Sequence, residues 1–147
     1  MNILFMCVAN SARSQMAEGL AKKIFGTAVN VESAGSQPKN VNPFATAAMK
    51  EIGIDLSNHY SKSYDELKPS FIVQLDYVIT LCAEEVCPSM VTQKAQKVHW
   101  PLPDPAGKQG SDEEQLSRFR ETRDSIASRI SDFAREKGIA ITGWVPQ

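Results

Sequence analysis

A chain of 147 residues, 42% hydrophobic and 22% charged, has the length of one ordinary domain and enough apolar content to bury a sizeable core. Its formal net charge of −1 excludes a bulk basic field for nucleic acid or an anionic membrane surface, though not a single local anion pocket. No apolar stretch approaches the length of a membrane span, and the N-terminal apolar run lacks the basic flank of a secretory signal. Three cysteines do not make a disulfide framework; an odd, small number points to thiol chemistry, metal or simple burial in a reducing, cytoplasmic setting.

The run "NILFMCV" (Asn2 to Val8) has no alternation and predicts a strand buried on both faces. From Ser14 the pattern changes: Met16, Ala17, Leu20, Ala21 and Ile24 form a helical stripe that Gly26 closes. "VNVESAG" (Val29 to Gly35) predicts a second strand ending in a turn. A second helix follows, with Asn42 as N-cap, Pro43 at its first position and Gly53 as C-cap. Residues 54 to about 70 are mixed and polar, and predict loop with a short helical turn near Tyr64 to Leu67. "DYVITLC" (Asp76 to Cys82) and "KVHW" (Lys97 to Trp100) predict two more strands, and "PLPDPAG" an ordered loop.

The strongest helix begins at Ser111. Asp112, Glu113 and Glu114 complement its dipole, Leu116, Phe119, Ile126, Ile130 and Phe133 line one face, and Gly138 ends it. The apolar tail "IAITGWVPQ" is expected to pack on a surface the sequence does not identify. Alternating strands and helices imply an α/β chain, one domain over 1–147, with a four-stranded parallel sheet between two helical layers.

Chemistry is expected where the first strand ends, in "CVANSARS". If Cys7 closes a parallel strand and Ser14 opens a helix, Val8, Ala9, Asn10, Ser11, Ala12 and Arg13 wrap over the carboxyl edge of the sheet. Such a loop and the positive end of its helix form a nest for a tetrahedral oxyanion. Ala9, Ser11 and Ala12 are small enough for close backbone approach, and Asn10 tolerates positive φ. Arg13 offers a planar fork to two oxygens, the same field favours a Cys7 thiolate, and Ser14 can donate to that sulfur. The blander reading is a buried small cysteine and a surface arginine. The spacing between them, in register with a helix start, favours chemistry.

This signature, running into "QMAEG", resembles the low-molecular-weight protein tyrosine phosphatase fold, and more closely the thioredoxin-coupled arsenate reductases built on it. The resemblance extends through "SAG" at Ser33, "NP" at Asn42, "SNH" at Ser57, "VITLC" at Cys82, "HW" at His99, "DPAG" at Asp104 and "FRETRD" at Phe119. It implies reduction of arsenate to arsenite, with phosphate or sulfate as competing oxyanions, thioredoxin as reductant, no cofactor or metal, and a monomer. It also implies a relay in which Cys7 attacks arsenate, Cys82 attacks Cys7 and releases arsenite, and Cys87 draws the disulfide outward to Cys82. In that fold the strand ending at Cys82 lies beside the first, about 4.8 Å away, within the roughly 4.4–6.8 Å that a disulfide spans between Cα atoms. Five fully extended steps from Cys82 to Cys87 cover about 17 Å, so that pair joins only if the segment coils or loops out.

By analogy Asp104 protonates the oxygen leaving arsenic or phosphorus. The related phosphatases carry aromatic residues just after this Asp-Pro to hold a phosphotyrosine ring; here Ala106 and Gly107 follow, which favours the reductase. A phosphatase, a non-catalytic oxyanion sensor and a zinc site completed by His59 or His99 are the rival readings. The zinc site is the weakest, because C-x-x-x-x-C lacks the usual tight spacing.

Two departures from the family stand out. Ala9 and Ala12 replace a common glycine and cysteine, so Ala9 must adopt an ordinary backbone geometry. Some relatives hold a monovalent cation at positions matching Asn10, Glu18 and Ser33 plus an acidic residue. Here Lys62 takes that last position, and its ammonium is expected to replace the ion and tie Asn10 in place. His59, His99 and Trp100 are expected to pack structurally.

Overall fold

The computed structural model describes residues 1–82 and 94–142. Four strands, β1 (Asn2–Cys7), β2 (Asn30–Gly35), β3 (Tyr77–Thr80) and β4 (Gln96–His99), form one parallel sheet in the order β2-β1-β3-β4. β1 is central, and every residue in it is buried. Its alternate side chains feed two cores: Ile3 and Phe5 enter the larger one, Leu4 and Met6 the smaller. This is the physical basis of an unalternated apolar run, because neither face meets water.

Helices α1 (Arg13–Phe25), α2 (Pro43–Lys50) and α4 (Asp112–Lys137) contribute to the larger core, whereas α3 (Pro69–Val73) covers the opposite face with Leu67 and Leu75. α1 ends at Gly26, as the sequence predicts. Asn42 caps α2 through a 2.8 Å bond from Phe44 N to its Oδ1, with Pro43 in the first turn. That helix closes at Glu51 rather than at Gly53, which takes φ 79° in the following turn. β3 stops at Thr80, two residues short of Cys82, and β4 is displaced one residue toward the N-terminus. α3 starts at the end of the stretch expected to be loop and runs past it to Val73; five residues are too few to display a helical period.

α4 opens on a capping box: Ser111 Oγ accepts from Glu114 N at 3.2 Å, and Glu114 Oε1 accepts from Ser111 N at 3.3 Å. Gly138 closes it in the left-handed conformation. Beyond it, Ile139 and Ile141 pack on the larger core, and Thr142 N donates to Ile24 O at 2.9 Å. Residues 143–147 of the tail lie outside the described residues.

Arg123 stands on the buried face of α4 and donates to the Ala48 carbonyl at 2.7 Å and to Glu51 Oε1 at 3.1 Å, satisfying the end of α2. Arg120 grips the same Glu51 carboxylate with two nitrogens, and this holds Glu51 below the usual carboxylate range. Replacing Arg123 by alanine orphans the Ala48 carbonyl. It is expected to cost about 1–3 kcal/mol of stability, read as a lowered midpoint in thermal unfolding.

Candidate functional site: an oxyanion loop over a buried cysteine

The chain order places β2 on one side of β1 and β3 on the other, so the connections leaving β1 and β3 diverge. The carboxyl edge between them is the place where parallel α/β sheets bind ligands. Cys7 ends β1 at this point, and Cys82 follows β3 two residues beyond Thr80; both are buried. Cys87 lies outside the described residues.

From Val8 to Ala12 the loop turns its carbonyls outward. Gln37 N donates to Val8 O, Lys39 N to Ala9 O and Asn42 N to Ser11 O at 2.8–2.9 Å, while Ala12 O accepts the first bond of α1 from Met16 N. On the other side of this backbone, Asn10 N lies 3.3 Å from Cys7 Sγ. Asn10 has φ 48°, the sole positive φ of a non-glycine among the described residues; Ala9 keeps an ordinary conformation. Ser14 Oγ sits 2.9 Å from Sγ and accepts from Asn10 Nδ2 at 2.7 Å, which leaves its own hydrogen available to the sulfur.

Arg13 is buried on the first turn of α1. Its Nη1 donates to Leu102 O at 2.8 Å and to Leu81 O at 3.4 Å, and its Nη2 lies 3.7 Å from Asp104 Oδ2. The guanidinium therefore touches the residue before Cys82 and the loop that carries Asp104. Asp104 is partly exposed, and its other oxygen accepts from Ala106 N at 2.9 Å, the local turn expected of an Asp fixed between prolines. These contacts pair a charged planar fork with a carboxyl group, one turn of chain beyond the cysteine.

Behind the loop, Glu18 is buried among cations. Ser33 Oγ donates to its Oε1 at 2.5 Å, Lys62 Nζ lies 3.6 Å from that oxygen, and Lys22 Nζ donates to Oε2 at 2.6 Å. Burial opposes the Glu18 charge, but Lys62, Lys22 and Ser33 outweigh it and hold the carboxyl below its ordinary value. The expected link from Lys62 to Asn10 takes another form. Its ammonium goes to Glu18 and over the Tyr60 ring, while its backbone N–H donates to Asn10 Oδ1 at 3.0 Å.

Three contributors carried no expected role beyond packing or turn formation. His59 is not simply packed: its Nδ1 lies 3.0 Å from Gln15 Oε1 and 3.7 Å from Glu18 Oε2, and burial lowers its pKa despite Glu18. Gln15 in turn bonds Asn10. Gly35 pairs with Cys7 in the sheet, and a Cβ there would stand 2.4 Å from Val8 O. A glycine facing the loop on a neighbouring strand was the available signal, visible only once the strand order is known. His99 is exposed, with Nδ1 2.7 Å from Thr80 Oγ1, so it does not pack as expected; Trp100 does, against Phe5 and Phe133.

A parallel sheet whose central strand delivers a cysteine into a C-x5-R loop defines a class, and residues 2–140 match its family, the low molecular weight phosphotyrosine protein phosphatases. The chain belongs to that family. Within it, the chain is 47% identical over 134 residues to an arsenate reductase of Halalkalibacterium halodurans, covering 90% of this chain and 94% of that one. It is 43% identical over the same shares to an arsenate reductase of Bacillus subtilis. Among solved structures it resembles an arsenate reductase in the phosphate binding state, with TM-score 0.74 and 31% identity over 92% of this chain and 97% of that one. It also resembles an arginine phosphatase, with TM-score 0.70 and 26% identity over 94% and 96%.

Proposed function

We propose that this protein reduces arsenate to arsenite and is itself re-reduced by thioredoxin. The observation that carries the reading is that Asn10 N–H and Ser14 Oγ meet Cys7 Sγ where β1 ends, with Arg13 paired to Asp104 on the next turn of chain and Cys82 buried at the same edge of the sheet. Similarity to arsenate reductases over nine-tenths of the chain supports it.

The loop amides and Arg13 bind the tetrahedral oxyanion, and the Cys7 thiolate attacks arsenic, forming an S–As bond. The displaced oxygen leaves as water, with a proton supplied by Asp104. Cys82, as thiolate, then attacks Cys7 Sγ. An S–S bond forms, the S–As bond breaks toward arsenic, and that electron pair reduces As(V) to As(III), which departs as arsenite. Cys87 attacks Cys82, freeing Cys7 and moving the disulfide to Cys82–Cys87. The thioredoxin dithiol reduces that pair by exchange. A Corynebacterium glutamicum thioredoxin-dependent arsenate reductase, 31% identical with TM-score 0.68 over 92% of this chain, supports that choice of reductant; this chain spans 60% of that longer protein.

Arsenite production with thioredoxin, thioredoxin reductase and NADPH tests the reading. Wild type is expected to turn over, and Cys82→Ser and Cys87→Ser to lose it. A phosphatase would instead keep hydrolysing an aryl phosphate in both variants with no arsenite formed. Phosphoester hydrolysis through a Cys7 thiophosphate is the second reading, favoured by the family and by the resemblance to an arginine phosphatase. Ala106 and Gly107 weigh against an aromatic phosphoester, because neither gives a ring anything to stack on.

We assign Lys62 the place of a monovalent cation behind the loop. Its buried ammonium already balances Glu18, and a second cation there would meet like charge. Turnover and the unfolding midpoint are expected to be the same in potassium and sodium at equal ionic strength. A selective rise in potassium would contradict the assignment.

A further inference from the structure

Gln15 is wholly buried on the first turn of α1, beside the loop but outside the set of groups that reach Cys7. Its Nε2 faces three oxygens: Asn10 O at 3.2 Å, Asn10 Oδ1 at 3.0 Å and Tyr60 O at 3.0 Å. All three are acceptors, so this end of the side chain is the NH2 group. The other end, Oε1, is an acceptor 3.0 Å from His59 Nδ1, which fixes the His59 proton on Nδ1. The amide thus has one orientation, and each of its ends is engaged.

What it holds is the one residue of the loop with positive φ. Asn10 sits at φ 48°, a conformation that costs energy for any residue with a Cβ. In that conformation its N–H points to Cys7 Sγ at 3.3 Å and its Nδ2 to Ser14 Oγ at 2.7 Å, so both donors that shape the sulfur's surroundings depend on it. Ser61 Oγ and Lys62 N hold the same two Asn10 oxygens at 2.6 and 3.0 Å. Gln15 alone among these partners binds both oxygens with one group and is oriented in turn by a third residue.

We propose that Gln15 is a positioning residue for Cys7. Its amide keeps Asn10 left-handed so that the Asn10 donors stay aimed at Sγ and Ser14, and His59 keeps the amide from turning over. This rests on Cys7 being the nucleophile, as proposed above, and not on the later relay through Cys82 and Cys87.

The test compares Gln15→Met, which keeps the volume and removes both polar ends, with Gln15→Glu, which keeps an oxygen toward His59 and sets another against the Asn10 oxygens. Arg123→Ala serves as a destabilised control remote from the loop. The readouts are the rate of Cys7 alkylation by iodoacetamide, followed by peptide mass spectrometry, and the protection that inorganic phosphate gives. Both Gln15 variants are expected to react about tenfold more slowly and to need about tenfold more phosphate for protection, at temperatures where they remain folded. Arg123→Ala is expected to lower the unfolding midpoint and leave both readouts unchanged.

Unchanged rates in the folded Gln15 variants would overturn the proposal, as would an equal slowing in Arg123→Ala. Should Gln15→Met fail to fold, Gln15→Glu decides. Failure of both to fold would also overturn the proposal, because Gln15 would then serve the fold rather than the sulfur. Wild-type arsenite turnover is measured alongside: its absence would remove the reductase reading while leaving the Cys7 comparison valid.

Discussion

Arg13→Lys is expected to lower arsenate turnover by about 10²–10³-fold even though it conserves the charge. A lysine ammonium is a point charge on a flexible stem and cannot present two parallel donors to a tetrahedral anion. The arginine also has a second set of partners to lose. Its Nη1 holds Leu102 O and Leu81 O, and its Nη2 faces Asp104, so the guanidinium ties the loop after β4 and the residue before Cys82 to the first turn of α1. Steady-state kinetics in the thioredoxin-coupled assay read the effect. Because the proposed oxyanion contact and the placement of Asp104 are lost together, kcat is expected to fall as well as KM to rise. A loss confined to KM would mean that Arg13 contributes binding alone.

Gly35→Ala is the second large effect, and its origin is space, not conformational freedom. A Cβ at this position would meet Val8 O at 2.4 Å, Asn10 N at 2.9 Å and Cys7 O at 3.0 Å, all of them backbone. No side chain can rotate away, so the loop itself must move off β2. Overpacking of this kind costs about 1–3 kcal/mol. A displacement approaching 1 Å at Cys7, the proposed nucleophile, removes about 10² from the rate. Thermal unfolding together with Cys7 alkylation checks both parts; a variant that loses stability but alkylates at the wild-type rate would show that the loop absorbs the methyl group without moving.

The parts of the fold written in local chemistry were readable from residues alone. β1 is an unalternated apolar run because it lies between two cores, and α4 announces itself through Ser111, Glu114 and Gly138. Elements that depend on partners were less legible. α3 is too short for its Phe71 and Ile72 to show a period, and the ends of β3 and β4 are set by pairing rather than composition. In the candidate site, Cys7, Asn10, Arg13 and Ser14 fall within eight consecutive residues, and their spacing carries their meaning. The residues that brace them are distant in sequence: His59 is 44 positions from Gln15, and Lys62 is 52 from Asn10. Lys62 could be placed near the loop by resemblance, but which of its atoms meets Asn10 depends on the path of the chain. Gly35 illustrates the same limit, since a glycine closing a strand reads as a turn until its neighbour is known to be Cys7.

The most direct test of the account is a single turnover without thioredoxin. Fully reduced protein is mixed with excess arsenate, and arsenite, remaining thiols and disulfide-linked peptides are counted. A two-electron reduction drawn from cysteine requires one arsenite for each pair of thiols lost, with the bond found between Cys82 and Cys87. Arsenate bound with every thiol intact and no arsenite formed, while an aryl phosphate is hydrolysed by the same preparation, would contradict it.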